Sequence, residues 1–260
     1  MSTPEVCVLK TDGVNCDEET MYAFEAAGGS PELVHVNQLR SGERRLKDYG
    51  VLALAGGFSY GDDIASGKVL ANELTSYLSD QLQEFVEDEK PAIGICNGFQ
   101  VLTGTGLLPA VELGQQQLTL ATNDSGRFEC RWVNLTIPAS VSRFVKPEDF
   151  DVSAVPMQVA HKEGKLVGPP PDITRLAANR QVVFRYSTGR GTPTDTYPYN
   201  PNGSMDNIAG ITDPSGLILG MMPHPERSVA AFPPDRSQIE IARHASESIF
   251  KNIVAYAKEL

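Results

Sequence analysis

The segment Gly94-Ile95-Cys96-Asn97-Gly98 sets a cysteine between two glycines, after the apolar run Pro91 to Ile95 and ahead of a helix start at Asn97 to Thr103. This G-x-C-x-G pattern is the thiol counterpart of the G-x-S-x-G elbow, a sharp strand-to-helix turn that lifts a nucleophile above a sheet. Glycines flank such a turn because side chains would collide with the tight backbone. A helix N-terminus adds partial positive charge, which favours thiolate over thiol. Burial in a core is the commoner fate of a cysteine, but the glycines and the strand context argue for a nucleophile at Cys96. Cys7 and Cys130 lie inside strand patterns and read as core. Cys16 sits in a polar loop before a helix, which suits packing or a substrate-facing position rather than attack.

A thiol nucleophile needs a base, and the base needs a group that fixes its tautomer. Of the four histidines, two carry a glutamate two residues on: His161-Lys162-Glu163 and His224-Pro225-Glu226. Residues i and i+2 of an extended segment share a side, so either glutamate can reach its histidine. Spacing alone leaves both pairs open. Pro223 and Pro225 restrict the backbone around His224 to extended conformations, which favours that pair. His35 and His244 have no such partner and read as structural or surface residues. Acyl transfer at Cys96 develops negative charge on the former carbonyl oxygen, which backbone N–H groups aimed at it stabilise. The Asn97 N–H directly follows the nucleophile. A second donor is expected in the glycine-rich stretch Ala55 to Gly61, where the backbone can approach a substrate closely.

The elements that position these residues alternate through the first half. Val6 to Leu9 reads as a strand, Asp17 to Ala27 as a helix ended by Gly28-Gly29, and Glu32 to Val36 as a second strand. Tyr49 to Ala55 is a buried strand, and one long amphipathic helix falls within Ala65 to Glu87. Near-continuous apolar strands alternating with helices imply a parallel sheet covered on both faces, with sites at the carboxyl ends of the strands. In the second half Phe128 to Ile137, Val152 to Ala160 and Gln181 to Ser187 read as strands without intervening helices, hence antiparallel. Thr188 to Asn207 is a long loop, and Ile208 to Thr212 and Leu217 to Met222 flank a turn. A final helix is expected to be capped by Asp235, with Ile239, Ala242, Ala245, Ile249, Ile253 and Ala257 as its buried stripe.

The 260 residues carry 22 basic and 33 acidic side chains, a formal charge of −11, which argues against a nucleic-acid binder. The one dense basic cluster, Arg40 to Lys47, also holds Glu43 and reads as a solvated face. With 41% apolar residues the chain can build a large core, and no run is long enough to span a membrane. No secretory signal opens the chain, and four scattered cysteines fit a reducing cytoplasm better than a disulfide framework or a zinc site. No phosphate-loop or complete dinucleotide fingerprint occurs, so neither a nucleotide nor a metal site is expected.

These motifs resemble the class I, triad-type glutamine amidotransferases, and within them the PurQ-type glutaminase subunits of phosphoribosylformylglycinamidine synthases. The resemblance is carried by Asp12-Gly-Val-Asn-Cys-Asp17, Ala55-Gly-Gly-Phe-Ser-Tyr-Gly-Asp62, Gly94-Ile-Cys-Asn-Gly-Phe-Gln100, Asn123-Asp-Ser-Gly-Arg-Phe-Glu-Cys-Arg-Trp132, Ala160-His-Lys-Glu-Gly164, Asn200-Pro-Asn-Gly-Ser204 and Gly220-Met-Met-Pro-His-Pro-Glu-Arg227, in the family's order. It implies a single glutamine amidotransferase domain over residues 1–260 with a flavodoxin-like α/β fold: a mostly parallel central sheet flanked by helices, with an antiparallel extension. It implies Cys96 as nucleophile, His224 as base and Glu226 as its orienter, which settles the choice that spacing leaves open and gives His161 a structural or interface role. It further implies Gly57 and Asn97 as oxyanion donors, and Gln100, Asn123, Ser125 and Arg127 as residues that grip L-glutamine.

The expected activity is hydrolysis of glutamine through a cysteine thioester. The ammonia then serves a synthetase subunit that makes formylglycinamidine ribonucleotide for purine biosynthesis. That subunit would hold the ATP and magnesium, a small accessory subunit would complete the complex, and this chain would carry no cofactor. Asp12, Val14 and Lys162 depart from the family pattern, and Thr188 to Tyr199 reads as an expanded loop. Competing readings are another class I amidotransferase or a γ-glutamyl hydrolase, a non-catalytic scaffold, and a protease-like thiol enzyme.

Overall fold

The computed structural model describes residues 2–62, 64–150, 152–230 and 238–260. The chain runs through β1 (Glu5–Lys10), α1 (Asp17–Ala26), β2 (Ser30–His35), α2 (Val36–Ser41), β3 (Val51–Leu54), α3 (Lys68–Tyr77), α4 (Ser79–Glu87), β4 (Ala92–Ile95) and α5 (Asn97–Thr105). It continues through β5 (Thr119–Thr122), β6 (Glu129–Thr136), β7 (Val155–His161), β8 (Glu163–Val167), α6 (Pro170–Ala178), β9 (Val182–Ser187), β10 (Ile208–Thr212), β11 (Ile218–Met221), α7 (Pro225–Ala230) and α8 (Ile239–Ala257).

Nine strands form one sheet in the order β2-β1-β3-β4-β11-β10-β9-β6-β7, and β5 pairs with β8 in a small second sheet. The half from β2 to β11 is parallel, and the extension from β10 to β7 is antiparallel. Strands β3, β4 and β11 are buried at every position, as parallel strands covered on both faces must be. Helices α1, α7 and α8 pack together on one side, while α3 and α5 pack together on the other, with α4 against α3. Among the described residues no helix is long and apolar enough to cross a membrane.

Several local expectations change. The helix expected within Ala65 to Glu87 is two, α3 and α4, joined at Leu78 (φ −126°, ψ 14°). The break turns Leu78 into the core beside Leu74 and Leu82. Helix α6 interrupts the strands of the second half. Its run of prolines disguised it, yet Pro170 opens the helix, where a missing N–H removes only a donor that has no partner anyway. Strands β5 and β8 were missed because each is short and only half covered. Cys130 is exposed rather than core: β6 alternates, and it turns Glu129 inward and Cys130 outward. Cys7 is fully buried in β1, and burial pushes its thiol well above the ordinary range.

The basic stretch Arg40 to Lys47 is a solvated face whose charges are partly spent within the chain. Arg40 pairs with Glu73 and lies over the Tyr77 ring, and Arg44 pairs with Glu32. The expected cap Asp235 lies outside the described residues. The buried stripe of α8 includes Phe250 and Val254 besides the expected positions, while Ile239 is half-buried. Phe250 meets Phe24 of α1 edge-on, with ring centroids 5.0 Å apart, and both side chains are fully buried. Truncation there leaves a cavity that rigid neighbours cannot close. Phe250→Ala is expected to cost about 3–5 kcal/mol in urea unfolding; a loss under about 1 kcal/mol would contradict this packing.

Candidate active site

Strands β4 and β11 lie side by side and parallel, with Ile95 opposite Met221. Cys96 is the residue after β4, and its N–H donates to the Met221 carbonyl at 2.8 Å. His224 comes three residues after β11, and its N–H donates to Gln158 of β7 at 2.8 Å. Two neighbouring strand ends therefore deliver the cysteine and the histidine to the same place, at the carboxyl edge of the parallel sheet.

The elbow is tight. Cys96 holds φ 52° and ψ −105°, a conformation L-residues rarely adopt. A Cβ on Gly98 would sit 1.9 Å from the Leu54 carbonyl oxygen, so only glycine lets α5 pass β3 this closely. The Cys96 thiol points toward the Ala160 carbonyl at 3.6 Å.

His224 Nδ1 lies 2.5 Å from Glu226 Oε1, and both side chains are buried. The glutamate can only accept, so Nδ1 carries the proton and Nε2 is the basic nitrogen. Among the described residues Nε2 has no hydrogen-bond partner of its own. Burial alone would lower the His224 pKa, but the Glu226 charge, aided by the thiols of Cys96 and Cys16, raises it well above the ordinary histidine value.

The other histidine–glutamate pair does not form. His161 Nδ1 faces Asn123 Oδ1 at 3.1 Å, and Glu163 instead accepts from the Ser66 N–H at 3.1 Å. Burial, reinforced by repulsion from His224, pushes the His161 pKa down to about 3.

Around Cys96 lies a cavity of about 290 Å³, lined among others by Gly57, Asp62, Gln100, Phe128, His161 and Glu163. Phe58 and Phe128 stand exposed at its rim with ring centroids 6.3 Å apart. Burial raises the Asp62 carboxyl above its usual range; the Ser66 hydroxyl opposes this and the Glu163 charge adds to it. Gly57 lines the cavity with φ +143°, and Asn97 opens α5 beside it, where a first-turn N–H has no partner within the helix.

Of the residues expected to grip glutamine, Gln100 lines the cavity, and its side-chain amide donates to the Glu163 carbonyl at 2.5 Å. Asn123 lies beneath the wall. Its amide donates to the carbonyls of Arg127 and His161, each at 2.9 Å, and its Oδ1 accepts from the Gly164 N–H at 3.1 Å. Ser125 and Arg127 are exposed on the following turn, outside the cavity lining. Cys16 is buried against the histidine rather than facing the cavity. Sequence reasoning missed Asp62, Ser66 and Glu163 as cavity residues. Asp62 and Glu163 stand inside quoted motifs, which was the available signal.

Residues 3–257 match the CobB/CobQ-like glutamine amidotransferase domain. A phosphoribosylformylglycinamidine synthase subunit PurQ of Methanococcus maripaludis strain C7 is 41% identical over 268 residues, covering 97% of each chain. The subunit of the same name from Dehalococcoides mccartyi is 42% identical over 263 residues, covering 100% of each. A chain in the structure of PurLQS from Thermotoga maritima superposes with a TM-score of 0.74 at 30% identity, over 98% of this chain and 99% of that one. The fold is thus that of a glutamine amidotransferase. Within that class, the chain belongs to the PurQ family of phosphoribosylformylglycinamidine synthase subunits.

His161 generates a stability prediction. Its folded pKa lies below its unfolded value, so the neutral form stabilises the fold above pH 6.5, and that contribution is lost as pH falls toward about 3. His161→Gln removes the titration. The stability advantage of the native chain over this variant should shrink by up to about 1.4 kcal/mol per pH unit below 6.5. Denaturant titrations at pH 7.5, 5.5 and 4.5 check it; a constant difference between the two proteins would refute it.

Proposed function

We propose that this chain is the glutaminase subunit of a phosphoribosylformylglycinamidine synthase, with Cys96 as nucleophile, His224 as base and Glu226 as the carboxylate that orients it. The observation that carries the reading is the buried His224–Glu226 contact beside the strained cysteine elbow at the adjoining strand end.

The Cys96 thiolate attacks the side-chain amide carbon of glutamine, and the Sγ–C bond forms. The N–H groups of Gly57 and Asn97 receive the oxyanion, worth about 3–4 kcal/mol per donor in comparable sites. The tetrahedral intermediate collapses, the C–N bond breaks, and the His224 Nε2 proton leaves with ammonia. Water then adds to the γ-glutamyl thioester, giving its proton to Nε2. The C–S bond breaks, glutamate departs and Cys96 is regenerated. Gln100, at the cavity wall, helps to grip glutamine, while Asn123, through His161 and the turn that carries Ser125 and Arg127, holds the wall behind it.

The ammonia is consumed by a synthetase subunit that uses ATP and magnesium, and a small accessory subunit completes the complex. The family membership and the likeness to a chain of PurLQS support these partners. The chain carries no cofactor of its own, works as one amidotransferase unit, and acts in the cytoplasm.

The test is Cys96→Ala in the reconstituted complex. Glutamine-dependent turnover should fall at least 1,000-fold, on the order of what losing a triad nucleophile costs, while ammonia-dependent turnover stays within about twofold. Survival of glutamine-dependent turnover would reject the nucleophile. Failure of the chain to support any synthetase would reject the partner.

A further inference from the structure

Glu226 is a fully buried carboxylate, with one oxygen on His224 and the other, Oε2, without a hydrogen-bond partner among the described residues. An isolated buried anion is costly unless a cation stands near it. Before attack, an imidazolium at His224 supplies that cation. Once ammonia has left with the His224 proton, Cys96 is a neutral thioester and His224 a neutral imidazole. Glu226 has then lost its partner charge at the middle of the reaction.

Among the described residues one other cation lies in reach. Arg227, the next residue, places Nε 4.0 Å from Glu226 Oε1. Its guanidinium does not swing freely, because Nη2 donates to the Cys16 sulfur at 3.2 Å. Cys16 is itself pinned. Its N–H donates to the Gly56 carbonyl at 3.1 Å, its carbonyl accepts from the Thr20 hydroxyl at 2.6 Å, and its thiol donates to Asn15 at 3.4 Å.

The contact with the ring is close. A Cβ on Gly56 would lie 2.8 Å from His224 Cε1 and 3.3 Å from Cys16 Sγ. Gly56, Cys16 and the imidazole thus form one tightly packed set, with Arg227 held against its far side. Among the described residues, the groups facing the His224–Glu226 pair are Cys96 from the elbow, Cys16 ahead of α1, His161 at the end of β7, and Arg227. Helix α8 packs on α7, has Ala242, Ala245 and Ser246 among its buried residues, and carries the Glu240–Arg243 and Glu247–Lys251 pairs.

Resting on the glutaminase reading above, we propose that Arg227, anchored by Cys16, is a positioning residue that balances the Glu226 charge in the acyl-enzyme. It thereby lets His224 give up its proton to ammonia and act as a neutral base toward water. The pairing matches the order of charges through the cycle. His224 and Arg227 share Glu226 when the ring is charged, and Arg227 holds it alone when the ring is neutral.

Removing the guanidinium takes away a positive charge that competes with the imidazolium for Glu226, so His224 holds its proton to higher pH. The experiment measures kcat and KM for glutamine from pH 6 to 9.5 in the reconstituted complex, for native protein, Arg227→Met, Arg227→Lys, Cys16→Ala and the double variant Cys16→Ala/Arg227→Met. The ascending limb of kcat for Arg227→Met should move up by about one pH unit, the shift expected from loss of a nearby charge. That is about a tenfold loss near neutral pH, vanishing at high pH. KM should stay within about twofold, Arg227→Lys should recover most of the shift, and Cys16→Ala, which frees Arg227 but also removes a thiol that helps hold the ring charged, should move the limb by less than Arg227→Met does. The double variant should be no worse than Arg227→Met, since both act through one group.

A loss of kcat equal at every pH, or no recovery with lysine, would overturn the proposal, as would full additivity of the two single variants. Labelling of Cys96 by a glutamine-like chloroketone in the native complex separates this result from failure of the glutaminase reading. Absence of labelling there would indict the nucleophile and not Arg227.

Discussion

The parallel pairing of β4 with β11 is the contact on which the site depends. It puts Ile95 opposite Met221, and so brings the cysteine that follows one strand beside the histidine that follows the other. The residues involved are far apart in the chain, and neither strand end means anything alone. Once the pair is formed, backbone bonds to Met221 and Gln158 hold Cys96 and His224 at their amides. The side chains then have little left to decide. The covered sheet makes this arrangement rigid, because β3, β4 and β11 are buried at every position.

Charge is the second constraint. Glu226 shares a buried region with two thiols and two histidines, where unpaired charge is expensive. The two histidines divide into opposite roles by their neighbours alone. His224 faces Glu226 and is held high; His161 faces the side-chain carbonyl of Asn123 and is driven low by burial. Same residue type, same spacing to a glutamate, different chemistry: the difference is whether that carboxylate lies in contact. Glu163 turns away to the Ser66 N–H, at the wall of the cavity.

Much of this was legible in the sequence. The elbow at Cys96 was readable because its glycines answer a steric demand that is local: the Leu54 carbonyl leaves no room for a side chain at Gly98. The parallel half of the sheet was readable because strands buried on both faces must be apolar throughout. The failures were of another kind. Cys130 reads as core from the sequence although β6 has an outward face, and apolar character says nothing about which face of a half-exposed strand a residue takes. Helix α6 hid behind prolines, and β5 and β8 were too short to show a period. Arg227 stood in a quoted motif with no role, because its function depends on a sulfur from the other end of the chain.

What the sequence determined by itself was the cysteine elbow, the class of fold and two histidine–glutamate pairs to choose between, because turn sterics and hydrophobic periodicity act over neighbouring residues. What only the tertiary structure decided was which base meets a carboxylate, which side chains line the cavity, and which cation stands behind Glu226. Those are questions of distance between segments remote in sequence. Burial sets the strength of each charge interaction, and both distance and burial come into being only when the strands pair and the helices close over them.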